Sequence, residues 1–207
     1  WVYLGEMLTD VYLPPDEPIE EACGSCTACL DACPTGALVA PGVLNAQACL
    51  SYQTQTKGDL ADFFKEKMGN FLYGWDTCQL VCPKNKGKNF THQKEFTPDP
   101  DLVKPLLKPL LTMSNRQFKQ KFGSMSGSWR GRTPIQRNAI VALAHFRDES
   151  AVPLLSKLLQ EDSRSVIRST VAWALGKIGG DEAKTGLLEA KKKETEPKVL
   201  ESIDKAL

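Results

Sequence analysis

Hydrophobic positions recur at a fixed spacing in the C-terminal third of the chain. Apolar and small residues return after every 32 positions, as in the series Ile135, Ile167, Val199 and the series Ala142, Ala174, Ala206. Further amphipathic helical patterns lie between them, at 152–159 and 183–192. Helix pairs that repeat at about 30 residues are typical of an α-solenoid of the HEAT type. The pattern predicts HEAT-like repeats over 134–207, with the third unit cut within a helix as if the chain continued.

Shorter patterns predict the elements that precede these repeats. Short helices are predicted in three places, at 45–51, 60–68 and 115–122. The Lys- and Pro-rich segment 84–110 is predicted to be a linker that wraps around the folded parts. Within the solenoid, Gly176 and the pair Gly179-Gly180 are predicted to end a helix, because glycine is frequent at helix C-termini.

The chain opens on residues 1–13, an apolar stretch rich in β-forming residues, which predicts one or two short strands. Three prolines between positions 14 and 18 then interrupt regular structure. A strand needs neighbours that satisfy its backbone hydrogen bonds. We therefore expect residues 1–20 to be the remnant of an N-terminal α/β domain, and the chain to be part of a longer protein.

Charge is distributed unevenly. Residues 1–82 carry 3 Lys and Arg against 11 Asp and Glu, residues 83–147 carry 13 against 3, and residues 148–207 carry 10 against 11. The net charges of these segments are −8, +10 and −1. The basic middle segment is a candidate site for a polyanion such as a nucleic acid. A solvated basic surface beside an acidic module explains the same charges, and charge alone leaves both possibilities open.

The cysteines carry the chemistry. The first run, Cys23, Cys26, Cys29, Cys33 and Pro34, has the spacing C-x2-C-x2-C-x3-C-P of bacterial iron–sulfur proteins. In two-cluster proteins the fourth cysteine of such a run ligates the other cluster, and the segment 78–83 repeats the C-x3-C-P ending. The predicted ligands are Cys23, Cys26, Cys29 and Cys82 for a first 4Fe-4S cluster, and Cys33, Cys49 and Cys78 for a second.

Two other uses of cysteine fit this spacing less well. A disulfide framework suits small secreted chains, whereas no export signal is visible here. Zinc sites use two separated ligand pairs, not a third cysteine at x2 followed by Cys-Pro.

Oxygen-sensitive clusters without an export signal predict a reducing cytoplasm. No apolar run approaches the roughly 20 residues of a membrane helix, so no membrane association is expected.

The second cysteine set departs from the first at one position. A complete repeat would place cysteine at position 75, where the chain has Trp75. Seven cysteines cannot give two clusters four thiolates each. Either a non-cysteine ligand such as the neighbouring Asp76 completes the second cluster, or this cluster has three irons, or it does not form.

The basic segment contains a candidate nucleic-acid loop. Glycines and serines precede Trp129, Arg130 and Arg132, and such a loop can reach phosphates and stack on bases, although a plain connector has the same composition. Six basic residues are predicted to contact phosphates: Lys84, Lys86, Lys88, Arg130, Arg132 and Arg137. Neither His92 nor His145 belongs to a catalytic constellation, and no catalytic residue is predicted in this chain.

In the order and combination of its motifs the chain resembles the epoxyqueuosine reductase family, cobalamin-dependent iron–sulfur enzymes that complete queuosine synthesis in tRNA. The resemblance covers essentially the whole chain. Its motifs are WVYLGEMLTD, CGSCTACLDACPTGAL, the segment from Cys49 to Gly58, DTCQLVCPKN, GSWRGRTPIQRNA and the HEAT repeats. It implies a mostly α fold in which a ferredoxin-like module for two 4Fe-4S clusters precedes a HEAT-type α-solenoid. The implied domains are 1–20 (remnant of the cobalamin domain), 21–90 (two-cluster module), 91–133 (basic linker and loop) and 134–207 (HEAT repeats).

The resemblance also implies a function. The full-length protein is expected to reduce epoxyqueuosine to queuosine at the wobble position of tRNA with a GUN anticodon, with electrons from a flavodoxin or ferredoxin. Three residues are expected near the corrin of cobalamin, namely Ser51, Asp76 and Thr77. The family has cysteine at position 75, so Trp75 puts the second cluster in question. The catalytic acid is expected outside this chain, which is expected to be monomeric and inactive alone.

Other classes of function remain as alternatives. An iron–sulfur electron-transfer protein could dock a protein partner through its HEAT repeats, and it would reduce that partner without binding tRNA. A zinc-bearing nucleic-acid module would lack brown colour and acid-labile sulfide. Reductive dehalogenases also combine cobalamin with two iron–sulfur clusters. The HEAT repeats and the basic segment argue against a reductive dehalogenase.

Overall fold

The computed structural model describes residues 5–20, 23–88 and 97–207, and these are mainly helical. The described α-helices are α1 (Ala28–Asp31), α2 (Leu50–Gln55), α3 (Asp62–Met68), α4 (Thr77–Leu80), α5 (Pro100–Val103), α6 (Leu107–Thr112), α7 (Asn115–Phe122), α8 (Arg132–His145), α9 (Val152–Glu161), α10 (Ser165–Ile178), α11 (Asp181–Lys191) and α12 (Pro197–Ala206). The two strands are β1 (Leu38–Ala40) and β2 (Val43–Leu44). Short 3₁₀ turns are described at Ala46–Ala48, Pro83–Asn85, Ser126–Ser128 and Glu149–Ala151.

The predicted N-terminal strand is not found in the part of it that the structure describes. Residues 1–4 lie outside the described residues, and residues 5–13 have no strand. Apolar side chains such as Leu8, Tyr12 and Ile19 are exposed. Extended backbone becomes a strand only by hydrogen bonding to a neighbour, and the described sheet contains only β1 and β2. The predicted strand is therefore not confirmed for residues 5–13.

The cysteine-bearing part, residues 23–88, is built from short elements. Strands β1 and β2 pair antiparallel, with Leu38 opposite Leu44 and Ala40 opposite Val43. A turn at Pro41 and Gly42 joins them, and Gly42 adopts a φ of +71° there. Helices α2 and α3 follow, and α3 matches the helix predicted at 60–68. The helix predicted at 45–51 is instead a 3₁₀ turn followed by α2, because Cys49 between them has an extended backbone.

The segment predicted as a linker contains two helices. Residues 89–96 of that segment lie outside the described residues. Pro100 occupies the first turn of α5, where a missing N–H costs nothing. In α6, Leu110 and Leu111 are buried where this helix packs on α8. Pro100 and Pro109 therefore lie in the first turns of α5 and α6, whereas Pro98 and Pro105 lie outside the helices.

The repeat predicted for the C-terminal region is confirmed. Helix α10 is central and packs on α8, α9 and α12, while α9 packs on α11. Ile167 and Val199, one repeat apart, are both at most 1% exposed.

Gly176 lies inside α10 rather than at its end, so its predicted role is wrong. Gly179 follows the last helical residue with a φ of +77°. A side chain at position 176 would collide with Ala206 of α12. Gly176 therefore permits the close approach of two helices.

The two parts of the chain pack together through α8. Both α2 and α3 contact α8, and Val141 of α8 belongs to the same buried cluster as Leu50, Leu60 and Met68. The cysteine-bearing elements are thus supported directly by the first HEAT helix. Among the described residues, no helix is both long and apolar enough to cross a membrane.

Candidate functional site

Two short cysteine-bearing helices have almost the same backbone. Helix α1 is preceded by Thr27 (φ −117°, ψ 7°) and α4 by Asp76 (φ −117°, ψ 16°). The residues that follow the helices, Ala32 and Val81, have a φ of −81° in both cases, with ψ values of −9° and −11°. The helices pack against each other, and each leads into a Cys-Pro pair. The C-x3-C-P repeat of the sequence is therefore also a repeat of structure.

This repeat shows which positions correspond in its two halves, the segment around α1 and the segment around α4. The corresponding pairs are Cys26 and Trp75, Thr27 and Asp76, Cys29 and Cys78, and Cys33 and Cys82. At these positions the first half thus has three cysteines, and the second half has two. The tryptophan lies where the first half has a cysteine.

Cys33 lies in a turn that prepares its sulfur to act as a ligand. The backbone N–H of Ala37 donates to the Cys33 Sγ at 3.2 Å, and the Thr35 hydroxyl lies 3.6 Å from it. Burial raises the pKa of Cys33, but the hydrogen bonds from Thr35 and the following amides outweigh it and lower the pKa below its ordinary value. Such bonds stabilise the thiolate, the form that binds iron.

Cys49 and Cys78 interact through their charges. Cys49 lies between the 3₁₀ turn Ala46–Ala48 and α2, and Asn45 caps that turn by accepting from the Gln47 N–H at 3.1 Å. Burial is the largest effect that raises the pKa of Cys78, and the negative charge of Cys49 raises it further. The negative charge of Asp76 raises it as well. Cys49 and Cys78 both belong to the predicted second cluster.

Trp75 offers no ligand because its side chain packs into the core. Its ring centroid lies 4.3 Å from that of Phe71, and it packs against the buried cluster that contains Leu50 and Met68. The preceding residue, Gly74, donates its N–H to the Thr54 hydroxyl at 2.9 Å, which fixes the backbone at this point.

The number of thiols matches the first predicted cluster and falls short at the second. No two of the seven cysteines, all of which the structure describes, form a disulfide. Within 5–20, 23–88 and 97–207, no three His, Cys, Asp or Glu side chains are placed to hold a single metal ion. A single ion requires its thiolates within about 2.3 Å of one point, whereas a cluster distributes them over several irons. Four thiols are present for the first cluster and three for the second.

An open cavity of about 620 Å³ adjoins the second cysteine set. Its lining includes Cys49, Ser51 and Lys57 on one side and Trp129 and Arg130 on the other. A thiol of the second set and two cations thus share one concave surface, a connection between the cysteines and the basic loop that the sequence does not indicate. The described lining includes Ser51 but neither Asp76 nor Thr77.

Trp129 and Arg130 form a stacked pair at the edge of this cavity. The Arg130 guanidinium lies 3.8 Å from the Trp129 ring centroid, and the indole N–H donates to the Gln55 Oε1 at 3.1 Å. Trp129 is nevertheless 59% exposed. Gln55 was not predicted to have a role, because nothing in its local pattern distinguishes it from other surface glutamines. The arrangement presents an aromatic face and a cation to solvent.

Of the six predicted phosphate-contacting residues, four are exposed, one is half-buried and one is buried. The exposed residues are Lys84, Lys86, Lys88 and Arg130. Arg132 is half-buried and donates to the Met113 carbonyl at 2.5 Å. Arg137 is only 1% exposed, and its guanidinium donates to backbone carbonyls of residues 53–58. The prediction that Arg137 contacts phosphates is therefore corrected: it is a buried structural residue.

Comparison with known proteins places these features in context. A family described as a 4Fe-4S double cluster binding domain matches residues 22–85, and a family of HEAT repeats matches residues 131–207. The whole chain is 60% identical to an epoxyqueuosine reductase of Bacillus subtilis strain 168, of which it covers 54%. It is 56% identical to an epoxyqueuosine reductase of Bacillus anthracis, again covering 54%, and to an uncharacterised protein of Geobacillus stearothermophilus, covering 96%.

Solved structures give the same result. A structure of epoxyqueuosine reductase from Bacillus subtilis superposes with a TM-score of 0.91 at 61% identity, covering 94% of this chain and 52% of that one. A crystal structure of epoxyqueuosine reductase with an epoxyqueuosine-modified tRNA-Tyr stem loop has a TM-score of 0.90 at 61% identity, covering 93% and 52%. The chain spans about half the length of the curated epoxyqueuosine reductases it matches.

Proposed function

Because this chain belongs to the epoxyqueuosine reductase family, we propose that it is the iron–sulfur and tRNA-binding part of an enzyme that reduces epoxyqueuosine to queuosine at the tRNA wobble position. The proposal rests on the observation that a predicted cluster ligand and a cationic, aromatic pair lie on one surface. A cysteine of the second set and the stacked pair of Trp129 and Arg130 line the same cavity. A redox centre beside a cationic, aromatic surface suits chemistry on a nucleotide.

The first cluster is proposed to be a 4Fe-4S cube held by Cys23, Cys26, Cys29 and Cys82. When bound, it would carry single electrons. The chain's own contribution is to hold the ligands in place. Helices α1 and α4 pack together, which brings the run 23–33 beside the segment 78–82. Asn85 donates to the Gln79 carbonyl at 2.9 Å and fixes the chain just after Cys82.

The tRNA surface is proposed to comprise the exposed cations Lys84, Lys86, Lys88 and Arg130, together with the half-buried Arg132. The crystal structure of a relative with a modified tRNA stem loop supports tRNA as the partner. Cations attract phosphates without reading sequence, while an exposed aromatic ring can stack on an unpaired base. Trp129, held by Gln55 beside Arg130, would provide the stacking surface for a GUN anticodon loop.

Cobalamin is proposed as a cofactor of the whole protein, where it would supply a low-valent cobalt. Ser51, Asp76 and Thr77 are proposed to lie near it. Of the three, Ser51 lines the cavity beside Cys49 and Arg130, whereas Asp76 and Thr77 are not among the described residues that line it. A ferredoxin-like arrangement of the clusters, a flavodoxin or ferredoxin donor, a monomeric state and a cytoplasmic location complete the proposal.

The proposal is tested on the full-length protein with epoxyqueuosine-containing tRNA, by nucleoside analysis for queuosine. Cys29→Ser should lose both activity and iron, because a serine hydroxyl is a poor substitute for a cluster thiolate. Ser25→Ala, in the same loop, is the matched control and should retain both. Full activity and full iron content in Cys29→Ser would overturn the proposal.

The relatives reported above favour this function over electron transfer to a docked protein partner. The two functions differ in a simple measurement. An electron-transfer protein would reduce a protein acceptor and would show no salt-dependent affinity for tRNA.

A further inference from the structure

The second cysteine set lacks a fourth thiol, and the structure excludes the residue at that position as a substitute. Trp75 corresponds to Cys26 in the repeated helix geometry. Its indole stacks on Phe71 and packs against a buried cluster. An indole N–H is a donor and has no lone pair to offer a metal. The position is therefore filled by a side chain that cannot bind iron.

Asp76 is the nearest carboxylate, but its position does not correspond to a ligand. It is equivalent to Thr27, whose hydroxyl donates to the Asp31 carboxylate at 2.8 Å along the flank of α1. Asp76 itself is exposed. Thr27 is not among the predicted ligands of the first cluster, so the repeat assigns no ligand position to Asp76.

Three thiols remain for the second site. Cys33 follows α1 and its sulfur accepts the Ala37 N–H, while Cys78 lies in α4, which packs against α1. Cys49 lies within the same segment, residues 22–85, that matches the 4Fe-4S double cluster family. A cuboidal cluster that lacks one iron needs one thiolate for each of its three irons, so three thiols suffice for it.

We infer that the second site binds a 3Fe-4S cluster through Cys33, Cys49 and Cys78 and does not form an all-cysteine cube. This inference rests on the proposed cluster-binding role of the chain. It adds that the two clusters differ in chemistry and that position 75 determines the difference.

The experiment measures iron, acid-labile sulfide and EPR on the anaerobically reconstituted protein. A three-iron cluster is paramagnetic when oxidised, whereas an oxidised 4Fe-4S cube is diamagnetic. We expect about seven irons per chain and an EPR signal in the oxidised state. Trp75→Cys supplies the missing thiol and should raise the iron to about eight and abolish the oxidised-state signal. Trp75→Ala removes the same indole without adding a thiol, and it should keep about seven irons and the signal.

Any other iron content would contradict either the inference or the proposed function. About eight irons with Trp75 in place would overturn the inference while leaving the proposed function intact, because another ligand must then complete the cube. About four irons and no oxidised-state signal would overturn it as well, since the second site would then be empty. No iron and no sulfide would instead refute the proposed function itself. If Trp75→Cys fails to fold, the iron count and EPR of the unaltered protein still distinguish these cases.

Discussion

The guanidinium of Arg137 in α8 donates a hydrogen bond of 2.7 Å to the carbonyl of Gly58, in the loop that follows α2. The same group donates to the carbonyls of Gln53 and Thr56 at 3.0 and 2.9 Å. Burial lowers the pKa of Arg137 to about 10, and the nearby Asp59 partly offsets this effect. The last carbonyls of a helix lack partners within it. One arginine of the first HEAT helix therefore completes the end of α2, the helix that directly follows Cys49.

Replacing Arg137 with methionine should destabilise the protein strongly. Methionine keeps the length and apolar character of the side chain but removes the charged donor to the carbonyls of Gln53, Thr56 and Gly58. A hydrogen bond from a charged donor contributes about 1.5–3 kcal/mol, so we expect a loss of at least about 3 kcal/mol in the free energy of unfolding. Chemical denaturation followed by circular dichroism measures it.

Arg130→Met is the matched control for that measurement. Arg130 is exposed and its main contact is the Trp129 ring, so its replacement should change stability by less than about 0.5 kcal/mol. Equal losses of stability in the two variants would contradict the role assigned to Arg137.

The repeats and the cysteine sites were predictable because their patterns are set by local rules. Helical periodicity reports which face is buried, and Ile167 and Val199 are both buried as their spacing requires. Helix α7 has the residues of a capping box, and Ser114 and Gln117 form it. The C-x3-C-P repeat in the sequence has a structural counterpart in the repeated geometry of α1 and α4.

Other features depend on tertiary contacts that no local pattern contains. Arg137 has the composition of a phosphate ligand, yet burial against α2 gives it carbonyl partners instead. Pro109 belongs to the segment predicted as a linker, but it lies in the first turn of α6, where its missing N–H is harmless. Gly176 was assigned to a helix end, whereas the approach of Ala206 explains it.

Gly176→Ala should destabilise the solenoid, although alanine favours helix more than glycine. An added Cβ would lie 2.8 Å from the Cβ of Ala206, so α10 and α12 must separate. Overpacking of this kind costs about 1–3 kcal/mol, which exceeds the helix-propensity gain of about 1 kcal/mol. Adding Ala206→Gly to the variant removes the opposing methyl group and should restore part of the loss in a double-mutant cycle by thermal denaturation. Purely additive losses would contradict this account.

Glu194 should make the stability of the solenoid depend on pH. Arg168 holds its carboxylate through two hydrogen bonds of 2.7 and 3.1 Å, and the N–H groups of Thr195 and Glu196 also donate to it. The hydrogen bond from Arg168 is the main reason that the pKa of Glu194 is lowered. The unfolded chain then binds the proton more tightly than the folded one. The stabilisation is therefore present above the unfolded pKa of about 4.3 and is lost as pH falls through the folded value.

Glu194→Gln should accordingly lower the free energy of unfolding by about 1–2 kcal/mol near neutral pH. The difference from the unaltered protein should shrink as pH falls from about 5 towards 3, measured by urea denaturation at each pH. Glu161→Gln is the control, because its pair with Lys157 is exposed and long at 3.9 Å and contributes little. A difference for Glu194→Gln that stays constant with pH would contradict the ionic origin of the effect.

Arg130→Ala should weaken binding of an epoxyqueuosine-modified tRNA anticodon stem loop without unfolding the protein. Arg130 is exposed, lines the cavity beside Cys49 and stacks on Trp129, so its loss removes one phosphate contact and one side of the stacked pair. We expect affinity to fall by about 3–10-fold and the slope of log K against log salt to decrease by about 0.7–0.9. Fluorescence anisotropy over a salt series measures both. Lys157→Ala removes an equally exposed cation outside the basic segment and should change neither. Unchanged affinity and slope in Arg130→Ala would refute a tRNA contact at this residue.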